Sequence, residues 1–142
     1  MTRLLSAAAL AASILLTVSA RAETLVFNAA MNGATEVPPK ATQGHGDATA
    51  VLDTVSKQLS YTVTFGDLTG PATMAHFHGP AVPGKNAKIV VPLGMAPTSP
   101  IKGDVTLTDA QMADLQAGKW YVNVHTAANP GGEIRGQLIL AK

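Results

Sequence analysis

KQLSYTVTF, Lys57 to Phe65, places Leu59, Tyr61, Val63 and Phe65 on one side of an extended chain and Ser60, Thr62 and Thr64 on the other. A period of two with β-branched and aromatic residues is the signature of a half-buried strand, because successive side chains of a pleated backbone point to opposite faces. Just upstream, Ala48, Ala50 and Leu52 alternate with Asp47, Thr49 and Asp53. Thr54-Val55-Ser56 separates the two runs, a hairpin-length link that predicts antiparallel neighbours. Leu25, Phe27 and Ala29 repeat the pattern further back. Downstream, strands are expected over Ala72–His78, Lys88–Leu93, Asp104–Thr106, Trp120–Thr126 and Glu133–Leu140. Gly, Pro or Asn stands at nearly every break. One helix is expected after Thr108: Gln111 three residues on resembles a capping box, and Gly118 is placed to stop it. Eight strands and one short helix predict an all-β fold, an antiparallel Greek-key sandwich or barrel, and of the two we expect the β-sandwich.

The amino terminus reads differently. Arg3 precedes an uncharged, mostly apolar run from Leu4 to Val18, followed by Ala20-Arg21-Ala22 in A-x-A spacing. That pattern is a signal peptide over residues 1–22 rather than a membrane anchor, and it predicts export to the periplasm or beyond, with a single domain over residues 23–142. Cleavage removes Arg3 and Arg21 and leaves eight Lys+Arg against nine Asp+Glu. A near-neutral chain lacks the electrostatic footprint for nucleic acid, and no second apolar stretch is long enough to span a bilayer. With no cysteine, there is no disulfide framework, thiolate metal site or cysteine nucleophile.

Histidine is the informative residue. Alternation in Ala72–His78 sends Ala75 and Phe77 to the core and leaves Met74, His76 and His78 on the outer face. In Trp120–Thr126 the core set is Trp120, Val122 and Val124, with Tyr121, Asn123 and His125 outside. Two imidazoles at i and i+2 plus one from another strand form a donor set for Cu(II), Ni(II) or Zn(II). His45 and Met74 are possible additional donors. The plain reading is that these are surface histidines bonded to turn carbonyls. Glu133 and Arg135 are read as an outward-facing surface pair, Glu36-Val37-Pro38-Pro39 as a stiffening turn, and Asn129-Pro130-Gly131-Gly132 as a tight turn. Serine and carboxylate arrangements of hydrolases are missing.

AHFHGPA (Ala75 to Ala81), WYVNVHT (Trp120 to Thr126), NPGGEIRGQL (Asn129 to Leu138) and TEVPP (Thr35 to Pro39) together resemble the CHRD domain, first named in chordin. The resemblance runs from about Leu25 to Leu140. The family is similar in layout to Cu/Zn superoxide dismutase, whose H-x-H pair resembles His76-Phe77-His78 and whose V-H ligand resembles Val124-His125. Arg135 lies where that enzyme's anion-guiding arginine would fall. The zinc-binding loop, its disulfide and a bridging histidine have no counterpart here. The resemblance implies an exported binding protein carrying copper on His76, His78 and His125. Two other readings stay open: a metal-free module that meets a protein partner, and a copper-dependent redox enzyme acting on superoxide.

Overall fold

The computed structural model describes residues 21–142. All but the last two residues of the expected leader therefore lie outside the described residues. The strands are β1 (Thr24–Asn32), β2 (His45–Asp53), β3 (Gln58–Gly66), β4 (Ala72–His78), β5 (Ile89–Met95), β6 (Ile101–Thr106), β7 (Tyr121–Thr126), β8 (Ile134–Gln137) and β9 (Ile139–Leu140). One α-helix, α1 (Asp109–Gln116), links β6 to β7, and a 3-10 turn over Gly33–Thr35 follows β1. The all-β, antiparallel reading with one short helix is what folds.

The strands form one sheet in the order β5-β4-β7-β8-β1-β2-β3-β6, with β9 beside β1. Every pairing is antiparallel, and the end strands β5 and β6 approach each other, so the sheet nearly closes on itself. Phe27, Leu52, Leu59, Val63, Phe77, Trp120, Val122, Val124 and Ile134 fill the interior, all fully buried. Tyr61 meets Phe77 edge-on, ring centroids 5.3 Å apart.

The β2–β3 link closes as its length predicts. Asp53 Oδ1 accepts from the Val55 and Ser56 N–H groups, the turn chemistry that suits aspartate. Thr108 and Gln111 complete the reciprocal capping box of α1. The last strand differs from expectation. It breaks at Leu138, whose side chain is buried and whose N–H leaves the ladder for the Trp120 carbonyl. Beyond the break, Leu140 is exposed on β9. Pro92 stands within β5 rather than at its edge of definition, which an end strand tolerates because one of its sides carries no ladder.

Candidate metal centre

β4 and β7 are neighbours, with His76 opposite Asn123, His78 opposite Tyr121 and Met74 opposite His125. Ala75, Phe77, Val122 and Val124 take the core side, so alternation assigns the histidines to the other face. That face is not open surface. His76, His78 and His125 are 6%, 8% and 6% exposed. Tyr121 and the supposed surface pair Glu133 and Arg135 are buried as well.

The cover comes from chain segments whose fastenings are long-range. Arg135 lies with its guanidinium carbon 3.4 Å from the Tyr121 ring centre and donates to Asn86 Oδ1 and the Lys85 carbonyl. Asn86 in turn donates to the Val37 carbonyl, and Thr35 Oγ1 donates to the Arg135 carbonyl. The 79–88 loop and the Glu36–Pro39 turn are thereby tied over β7 and β8. Between them runs a cleft of about 440 Å³, lined by residues that include Thr35, Glu36, Pro83, Arg135 and Gln137.

Beneath this cover the three imidazoles converge: one nitrogen from each lies within 4.8 Å of the others. Their protonation is set from behind. His78 Nδ1 is 3.0 Å from the Ala87 carbonyl and His125 Nδ1 is 2.9 Å from the Pro130 carbonyl. A carbonyl only accepts, so in the neutral rings Nδ1 carries the hydrogen and Nε2 the lone pair. Both Nε2 atoms face Asn123 Oδ1 at 3.0 Å, and His76 Nδ1 approaches His125 Nε2 at 3.1 Å. Asn123 Nδ2 points elsewhere, bordering the space over Gly132 together with Glu36 Oε1. Two imidazole lone pairs thus converge beside the Asn123 amide with His76 alongside, an arrangement that can hold a cation.

Protons are poorly suited to be that cation. Burial, followed by the neighbouring His125 and His78, lowers the His76 pKa to about 4. Burial also dominates a lowering at His78, against the hydrogen bonds to Ala87 and Asn123. At neutral pH His76 and His78 are therefore uncharged and free to donate lone pairs.

Of the further candidates, Met74 is half-buried on the same face, in register with His125. His45 is not brought in; it opens β2 in an exposed position, its Nδ1 3.6 Å from Asp67. Arg135 sits beneath the 79–88 loop as described. Asn123, Glu36 and Tyr121 belong to the site without having been singled out for it. For Asn123 and Tyr121 the signal was present, since alternation had placed both beside His125. Glu36 is buried, and its Oε1 has no hydrogen-bond partner among the described residues. Burial raises its pKa, partly offset by the Val37 N–H and the Arg135 charge.

The family model of the CHRD domain matches residues 27–138, a span that holds every residue of this centre. No curated protein and no solved structure matches the chain.

Proposed function

The chain belongs to the CHRD-domain family, and we propose that it is a binding protein for a transition-metal ion, copper foremost, held by His76, His78 and His125. The observation that carries this reading is the convergence of three imidazoles, two of which, His78 and His125, have their opposite nitrogens locked by backbone carbonyls. Ligating histidines characteristically donate their other N–H to such a partner, which fixes the ring and raises its basicity. An all-imidazole set without thiolate suits Cu(II), which also binds nitrogen sites more tightly than the other common divalent ions. Bound copper would supply a Lewis-acid and one-electron centre. The chain's own residues would orient and shield it: Asn123 from within the sheet, Arg135 and Tyr121 by holding the 79–88 loop across it. The leader over residues 1–22 would carry the protein to the periplasm or outside the cell, where such an ion is met.

The test is a Cu(II) titration of protein stripped of metal, followed by electron paramagnetic resonance, beside a His76→Ala/His78→Ala/His125→Ala variant. One tight equivalent with nitrogen hyperfine coupling is expected, and its loss in the variant. Equal weak binding by both proteins would return the histidines to a structural role and favour a protein partner instead.

A further inference from the structure

Met95, Met74 and His125 form a row across three strands. Met74 is paired with Met95 of β5 on one side and with His125 of β7 on the other. Directly opposed residues of antiparallel neighbours project from the same face, with Cβ atoms about 4.5–5.5 Å apart. The row therefore lies on the face that bears the histidines.

A bulge creates it. Val91 and Leu93 are buried on the core side, and uninterrupted alternation would send Met95 the same way. The register instead pairs Pro92 with His76 and Gly94 with Ala75, leaving Leu93 as the extra residue. Gly94, at φ 132°, takes a backbone conformation open to glycine. Met95 is thereby turned outward. Re-aiming a side chain is a known use of bulges. The outcome is a methionine 77% exposed, more than any other large apolar side chain among the described residues. Exposure then falls along the row, from Met95 through half-buried Met74 to His125. The other methionines of the described residues lie apart, Met31 in the core and Met112 on α1.

We propose that this row is an inlet for Cu(I), in which the Met95 and Met74 thioethers take up the ion at the sheet edge and pass it to His125. The proposal rests on the reading of the histidines as a copper centre. Thioethers are neutral soft donors that select Cu(I) over zinc and over hard cations, and with no cysteine in the chain they are its softest ligands. Burial decreasing outward gives the ion a graded path from solvent to imidazole, with no change of oxidation state required.

Protein carrying ¹³C-methyl methionine is titrated with Ag(I), a redox-inert substitute for Cu(I), and separately with Zn(II). Ag(I) is expected to shift the Met74 and Met95 methyl signals at one equivalent while Met31 and Met112 stay in place; Zn(II) is expected to move none of them. Met74 and Met95 methyls that remain unmoved by Ag(I), or that move no more than Met112, overturn the proposal. A Met95→Leu variant, close in volume and so compatible with the fold, separates the row from the centre. It is expected to keep the Cu(II) resonance spectrum and final copper occupancy but to load more slowly from a Cu(I)–bicinchoninate donor. An unchanged loading rate overturns the delivery role. If wild-type protein shows no Cu(II) site, the histidine reading falls, and the methyl shifts alone then decide whether the methionines bind.

Discussion

Glu133 is a carboxylate with no exposed surface, and no cation is paired to it among the described residues. Its oxygens accept from Thr42, Thr126 and Asn129 side chains and from both the N–H and hydroxyl of Thr69. Burial by itself raises its pKa, but these donors outweigh burial and hold it at about 2. The folded pKa is below the unfolded one, so the charged form is favoured by folding. The stabilisation is fully present above the unfolded value of 4.5 and is lost as pH falls toward 2. A shift of that size corresponds to about 3 kcal/mol. Glu133→Gln is expected to lose on that order at pH 7, and the gap to wild type should narrow in urea unfolding at pH 3. A gap that ignores pH would refute the assignment. Strand alternation sets the direction of Glu133, as it sets those of His76, His78 and His125. Its partners were not legible. Thr42 and Thr69 come from loops 91 and 64 residues away, and nothing in a local pattern encodes that meeting.

The capping box of α1 is the opposite case, written within four consecutive residues and realised as written. Thr108→Ala is expected to cost about 1 kcal/mol in thermal or urea unfolding and to leave metal affinity unchanged. The 79–88 loop is an element that the sequence presented only as a string of turn residues. One of its ties is long-range: Arg135, 50 residues on from Lys85, holds that residue's carbonyl. Arg135→Gln should therefore leave the sheet folded while freeing the loop. Tryptic cleavage after Lys85 is the measurement, and it should accelerate in the variant. Cleavage at the wild-type rate would mean that the loop's other ties, through Ala81, Asn86 and Ala87, suffice to hold it. The break between β8 and β9 was hidden for a similar reason: Leu138 looks like any strand residue until Trp120 claims its N–H.

At the scale of the molecule, the sheet has a continuous middle and a seam. β1, β7 and β8 are laddered on both sides, whereas β5 and β6 each lack a partner on one. Amide exchange should consequently reach β5 and β6 first and β1 and β7 last. Uniform exchange across the sheet would show that the seam is closed in solution. The fold class was legible because each strand carries its own alternation, while the order in which strands join depends on contacts far apart in the chain. One buried side chain at the middle of this arrangement has a practical consequence. Trp120, the protein's single tryptophan, is fully buried against Phe77 and adjoins Tyr121, which stacks on His78 at 4.7 Å. The molecule thus carries its own fluorophore, sequestered from water and one residue from the partner of a candidate ligand. Its emission should be blue-shifted in the native state, dimmed by a paramagnetic ion and indifferent to zinc, so occupancy can be followed in unlabelled protein.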